Sequence, residues 1–297
     1  MTDELKYDSI AGLVAATEAA GEPISALVLR QQARQLEKTE AEVFAQMRDT
    51  YAVMAACIGP GCEEDLRSAS GLSGGDAFKM RRAVESGKNL TGGVLGGALY
   101  RALAVSELNA AMGRVVAAPT AGSCGILPAA VLTMQQEKGC SERDCVMALF
   151  TASAVGMVIT ANASVAGAQG GCQAEIGTAS AMAAGALVSL RGGTNEQIGH
   201  AVAMALKNLM GLVCDPVAGL VEVPCVKRNV IGAVNAISAA DMALAGIESR
   251  IPVDEVIDAM GEVGRRMPVE FRETALGGLA ATPTGKAVKE RMPHGAQ

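Results

Sequence analysis

From Cys145 to Ala174 the chain contains no Asp, Glu, Lys or Arg. A run this long exceeds the roughly 20 residues that a helix needs to cross a hydrocarbon core, so it belongs either in a bilayer or in the middle of a protein. Its side chains favour the second. The segment CVMALFTASAVGMVITANASVAGAQGGCQA has few large apolar groups and includes Asn162, Gln169 and Gln173, which lipid penalises unless their polar atoms are satisfied. Alanine, serine and glycine instead let neighbouring helices approach closely. The segment is expected to be a buried helix, the axis of the fold, and no membrane span is expected.

Composition leads the same way. Half of the 297 residues are hydrophobic, yet only three are tyrosine and four phenylalanine, with no tryptophan, against 35 glycines and 15 methionines. A core of small and flexible side chains favours close helix packing over a sandwich of bulky strands. Alternating patterns are scarce, with GRVVAA and LVEVPCV the modest strand candidates. No repeat, low-complexity linker or compositional boundary divides the chain, so residues 1–297 are expected to form one all-α, predominantly helical domain with Gly/Pro-rich loops and an irregular tail from about residue 287. A net charge of -6 with no basic tract argues against a nucleic-acid groove. The acidic start MTDELKYDSIAGLVAATEAAG lacks the basic and leucine-rich regions of a secretory signal. A cytoplasmic location is expected, where eight cysteines read as reduced thiols rather than disulfides.

Periodicity predicts a helix over 23–57, carrying Val43, Met47, Tyr51 and Met54. A loop of about 18 residues follows, long enough to be functional or mobile, and Asp76 is expected to cap the next helix. A glycine-rich segment is expected to become helical by Gly97 or soon after, and Pro128 and Gly139 bracket a further helix. Ser141 with Asp144 resembles a capping box for the uncharged helix, and Thr194 with Gln197 makes the ordinary version for residues 195 to 209. Helices are also expected over 229–246 and in PVDEVIDAMG between Pro252 and Gly261.

Reactive side chains gather where this regularity is interrupted. Cys172 follows two glycines in QGGCQAEIG, while Cys214 and Cys225 stand eleven residues apart in GLVCDPVAGLVEVPCVKRN, each beside a proline. Spacing alone leaves these three as metal ligands or as small buried hydrophobes. Cys145 and Cys140 read as packing residues; Cys57 and Cys62, with four residues between them, form a further possible metal pair. The turn PTAGSCG, Pro119 to Gly125, precedes a helix near Ile126, and its backbone N–H groups with the Thr120 and Ser123 hydroxyls suit either a bound anion or a plain helix cap. No strand-to-helix phosphate loop accompanies the glycines.

Taken together, SGLSGGDAFKM, APTAGSCGILPA, GGCQAEIG, GLVCDPVAGLVEVPCVKRN and TALGGLAATPTG resemble the alpha chain of the iron-sulfur-dependent L-serine dehydratases, over about residues 50 to 287. The resemblance implies a lyase that converts L-serine to pyruvate and ammonia. It implies that Cys172, Cys214 and Cys225 bind a 4Fe-4S cluster through three irons, leaving the fourth as a Lewis acid for the substrate hydroxyl. It also implies that Thr120, Gly122, Ser123 and Gly125 receive the substrate carboxylate. The small additional domain of single-chain relatives is not visible here, so the resemblance is to the alpha half of a two-chain enzyme that works with a beta chain. The base is unassigned. His200, on a helix leading towards Cys214, is the candidate; His294 lies in the tail, and LKNLMGLVC lacks the Glu-His-Asn run that some single-chain relatives carry ahead of the second cluster cysteine. Lys227 and Arg228 could offset negative charge at the site or simply be solvated. Desulfuration of L-cysteine on a similar cluster, or a non-catalytic metal-binding subunit, are the alternatives. A pyridoxal phosphate lyase built on Lys79 would leave the cysteines unexplained.

Overall fold

The computed structural model describes residues 8–292. Helices occur in the order α1 Ile10–Ala20, α2 Ile24–Gln35, α3 Glu40–Ala56, α4 Ile58–Gly61, α5 Asp76–Glu85, α6 Gly92–Ala110 and α7 Ile126–Lys138. They continue with α8 Glu142–Asn162, α9 Gly167–Gly170, α10 Thr178–Leu190, α11 Asn195–Leu209, α12 Cys225–Leu244, α13 Val253–Arg266 and α14 Pro283–Arg291. The fold is all-helical: no strand occurs among the described residues, and GRVVAA and LVEVPCV are irregular or helical, so both strand candidates fall. One isolated parallel bridge joins Cys214 to Arg272.

The uncharged run does not form one helix. It forms most of α8, breaks after Asn162, makes the single turn α9, and ends two residues into a π-helical turn over Gln173–Gly177 that leads into α10. Because α8 and α10 pack on each other, the chain folds back on itself and Cys172 lies at the bend. By length and composition α8 could cross a membrane, but two-thirds of its apolar window, 67 %, is buried within the protein. The element buried at every position from Thr178 to Val188 is α10, which packs on α7, α8, α11 and α12. Its small residues permit this. A Cβ on Gly185 would already touch Val155, Ile198 and Val202 at 3.3 to 3.5 Å. Leu187, Ile198 and Leu206 are buried around it, each stabilising by roughly 1.5–3 kcal/mol relative to exposure.

Caps set most of the boundaries. The helix expected over 23–57 is two, because Glu37 turns the chain at φ 53° and Thr39 with Glu42 forms a capping box that starts α3. The T-x-x-E signal for that start stands in the sequence. Ser141 caps α8 through the Asp144 N–H, and Thr194 with Gln197 completes a full box on α11. Asp76 is not a cap. It is the first residue of α5, whose open N–H groups at Asp76 and Ala77 are accepted by the buried Glu107 carboxylate at 3.1 Å each. The segment after α4 is held down similarly, since Glu222 accepts the Ser70 hydroxyl at 2.6 Å and the Ser73 hydroxyl at 2.7 Å.

Four further expectations shift. α6 begins at Gly92, earlier than Gly97, and α12 begins at Cys225 rather than 229, so the third cysteine is the first residue of a long helix. α13 runs through Gly261 to Arg266. The tail from 287 is helical to Arg291, because Thr282 caps α14 and Pro283 occupies its first turn. His294 lies outside the described residues.

Candidate active site

Three chain segments bring Cys172, Cys214 and Cys225 together. Gln173 does much of the positioning: its backbone N–H donates to Leu212 O at 2.9 Å, its Oε1 accepts the Gly211 N–H at 2.8 Å, and its Nε2 donates to Met260 O at 3.1 Å. That pins the bend before α10 against the segment after α11. Gly171, at φ 73°, has the Met267 sulfur 2.5 Å from where a Cβ would stand, so glycine is required there on two counts. Cys214 is fixed from the other side, its N–H donating to Phe271 O at 2.8 Å and its carbonyl accepting the Glu273 N–H at 3.1 Å.

All three thiols are buried. The Cys214 thiol hydrogen-bonds the Cys172 sulfur, lowering the Cys172 pKa against the opposing effect of burial and raising that of Cys214. Burial pushes the Cys225 thiol up to about 12, with Cys172 adding to the shift. Arg228, one turn into α12, stands near Cys172, whose pKa its charge lowers, and is held by Asp215 at 2.9 Å and by Val213 O at 2.7 Å. Lys227 is turned away, pairing with Asp76 at 2.6 Å on the exposed side. Of the two adjacent cations, Arg228 alone faces the thiols. Among the described residues, no three His, Cys, Asp or Glu side chains converge as ligands of a single ion would.

The PTAGSCG turn packs beside this group through Asn229 on α12. Asn229 is 1 % exposed; its Oδ1 accepts the Gly125 N–H at 2.9 Å and its Nδ2 donates to Gly122 O at 2.8 Å and Cys225 O at 3.0 Å. One buried amide thus ties the turn to the third cysteine. Ala121–Ser123 forms a single 3-10 turn with Thr120 and Ser123 capping each other. The Ser123 hydroxyl is buried and spends its contacts on Thr120 and Ala118 within the turn. The Gly125 N–H is taken by Asn229. A Cβ on Gly125 would meet Ala102 O at 2.6 Å, so it is a packing position. Thr120 differs, for its hydroxyl donates outward to Glu175 Oε1 at 2.7 Å. Burial raises the Glu175 pKa, opposed by the Thr120 hydroxyl and reinforced by Glu273.

A model of the family described as "Serine dehydratase alpha chain" matches residues 19–280. The chain belongs to that family. It is 49% identical over 273 residues to the "Probable L-serine dehydratase, alpha chain" of Bacillus subtilis, covering 92% of this chain and 91% of that protein. It is 44% identical over 263 residues to the "L-serine dehydratase, alpha chain" of Peptoniphilus asaccharolyticus, covering 89% and 90%. The "L-serine dehydratase" of Streptomyces coelicolor is 40% identical over 286 residues, which are 93% of this chain but 61% of that longer protein.

The remaining candidates sit elsewhere. His200 lies in α11, where its Nδ1 accepts the Ser249 N–H at 3.3 Å. At 1.5 Å per residue it is about 13 Å along the axis from the helix end that leads to Cys214. Cys145 is buried on α8 beside Tyr51. Cys57 and Cys62 are both buried, in different apolar clusters, Cys57 with Cys124 and Cys62 with Tyr100. Glu175, Gln173 and Asn229 were not singled out by the sequence. The available signals were faint: Glu175 is the first charge after the uncharged run, and Asn229 follows the third cysteine at a one-turn interval.

Proposed function

We propose that this chain is the alpha subunit of a lyase that dehydrates L-serine to pyruvate and ammonia. The observation that carries the reading is the convergence of three buried thiols from three segments around one cation, with an independently braced turn alongside. Family membership supports it, as do the names of the relatives.

Cys172, Cys214 and Cys225 would hold a 4Fe-4S cluster. The donor set fits: thiolates are the ligands such clusters use, and three of them attach to three different irons, so they need not converge as they would on one ion. Arg228 stands near one of them and offsets the negative charge of the assembly. Bound there, the cluster supplies a Lewis-acidic iron that weakens the bond between Cβ and the hydroxyl of the substrate.

The chain's own residues orient the substrate. Its carboxylate docks on the PTAGSCG turn, the Thr120 hydroxyl turning to it from Glu175 and the backbone at Gly122 in contact, while Ser123 and Gly125 hold the shape of the turn through their internal bonds. Gly/Pro-rich segments 119–125, 167–172 and 214–225 form the walls, and residues 1–297 act as one catalytic domain. A beta chain completes the enzyme, in keeping with relatives named as alpha chains and with the longer single-chain relative. The location is cytoplasmic.

The test is anaerobic reconstitution of the chain with iron, sulfide and its beta partner, followed by pyruvate release from L-serine and by electron paramagnetic resonance or Mössbauer spectra with and without substrate. Pyruvate formation and a substrate-dependent change at one iron are expected. A complex with full cluster content and beta chain that forms no pyruvate from L-serine would refute the reading, and faster turnover of L-cysteine would move it to desulfuration.

A further inference from the structure

We infer that the Glu175 carboxylate takes the α-proton of the substrate. The inference rests on the dehydration reading above and supplies the base that it lacks. Dehydration removes one proton from Cα and one hydroxyl from Cβ, so the acceptor must stand between the group that holds the carboxylate and the group that takes the oxygen. Glu175 stands there. Its Oε1 accepts the Thr120 hydroxyl at 2.7 Å and lies 3.0 Å from where a Cβ on Gly122 would be, so it touches the turn from the side. Three residues earlier in the same turn of chain is Cys172. A substrate with its carboxylate on the turn and its hydroxyl towards the thiols presents Cα to Glu175.

Other groups around this space are poorer acceptors. Arg228 is cationic and committed to Asp215. Lys227 faces outward to Asp76, and His200 is engaged with Ser249 on another part of α11. The three thiols are the proposed ligands. The Asp215 carboxylate is committed to Arg228 and the Leu279 N–H, and Glu273 is exposed at φ 65°, with its Oε2 3.1 Å from the Cβ position of Gly167, where Glu175 Oε2 stands at 2.8 Å. The two carboxylates therefore flank Gly167, the half-buried Glu175 inward and the exposed Glu273 outward.

Local structure and electrostatics suit the role. Glu175 sits in the π turn Gln173–Gly177, a distortion found often at functional sites, and the turn is anchored by Gln173 on both sides. Burial and, less strongly, Glu273 raise the Glu175 pKa against the Thr120 hydrogen bond, and a bound substrate carboxylate would add negative charge, so proton uptake relieves repulsion. The step balances without a co-reactant. The Cα–H bond breaks and its proton passes to Glu175; the electron pair becomes the Cα–Cβ double bond; the Cβ–O bond breaks with its pair on oxygen. Aminoacrylate and hydroxide result, and the proton on Glu175 completes water.

The experiment uses the cluster-loaded complex with its beta chain, comparing wild type with Glu175→Gln and Glu175→Asp. Glu175→Gln is expected to keep its iron content and the spectral change on adding L-serine, while kcat falls by about 10²–10⁴-fold, the usual worth of a positioned base. Glu175→Asp should recover part of that loss and show an enlarged isotope effect with Cα-deuterated L-serine. Glu175→Gln turning over within about threefold of wild type would overturn the assignment, far short of what losing a base costs. Loss of the cluster in both variants, or of the L-serine response, would also overturn it, by making Glu175 a structural or binding residue. Failure of the wild-type complex to release pyruvate would instead strike the dehydration reading itself.

Discussion

Replacing Asn229 by Ala tests how the turn and the third cysteine are held in register. The side chain makes three hydrogen bonds, at 2.9 Å to the Gly125 N–H, 2.8 Å to Gly122 O and 3.0 Å to Cys225 O, and is 1 % exposed. Cys225 O lies in the first turn of α12 and keeps its helical acceptor role, so two backbone groups are left without partners. Each unpaired buried group costs about 1–3 kcal/mol, giving about 2–6 kcal/mol, and a water entering the vacated space brings the expected loss to about 2–4 kcal/mol. The assay is urea unfolding of the full chain in reducing buffer, read as a lower midpoint at unchanged slope. Asn229→Asp should lose a similar amount at neutral pH, since a carboxylate keeps the Gly125 contact but faces two carbonyl oxygens. A loss below about 0.5 kcal/mol, the size of an ordinary surface change, would refute the claim that this amide braces the site.

Single replacement of Cys172, Cys214 or Cys225 by Ser should reduce the iron retained after anaerobic reconstitution, while Cys57→Ser and Cys145→Ala retain it; equal iron loss at Cys145 would undo the ligand assignment. Gly125→Ala places a Cβ 2.6 Å from both Ala102 O and Ser106 Oγ, and the strain should cost about 1–3 kcal/mol in unfolding experiments. Gly59→Ala, with nothing within 4 Å, is its unstrained control. Lys227 and then Lys79, by hydrogen bonding, hold the Asp76 pKa below its usual 3.8. Asp76 therefore contributes stability above its unfolded pKa that is lost as pH falls through the lower folded value. Both partners are partly exposed, so Lys227→Met should lower stability by under about 1 kcal/mol at neutral pH, and the difference from wild type should vanish in strong acid.

Much of the fold was readable because its determinants are local. The Ser141 cap and the Thr194 box start α8 and α11, and Gly139, at φ 67°, ends α7, each through contacts a few residues apart. The break between α2 and α3 was equally local, but periodic apolar residues across it outweighed the Thr39 and Glu42 signal. The cap of α5 could not be found this way, because its acceptor Glu107 lies 31 and 30 residues away. The uncharged run is interior only in part: the apolar window of α8 is two-thirds buried, Thr160–Asn162, Ala168 and Gln169 are exposed, and the fully buried element is α10, which begins beyond the run.

At the site, sequence supplied the cysteines and the turn but not their orientations. Thr120 meets Glu175 across 55 residues and Gly125 meets Asn229 across 104. Such pairings carry no periodic signature, and the two cations at 227 and 228 are indistinguishable until α12 is rotated into place.

The sequence by itself determined the helical class and the family, and it singled out three cysteines that the fold brings together. Tertiary structure alone decided that Arg228 rather than Lys227 faces the thiols, that Ser123 turns inward while Thr120 turns out, and that a carboxylate at 175 stands beside the turn. Patterning fixes which face of a segment avoids water, whereas the direction of a polar side chain within a site depends on which distant segment packs against it.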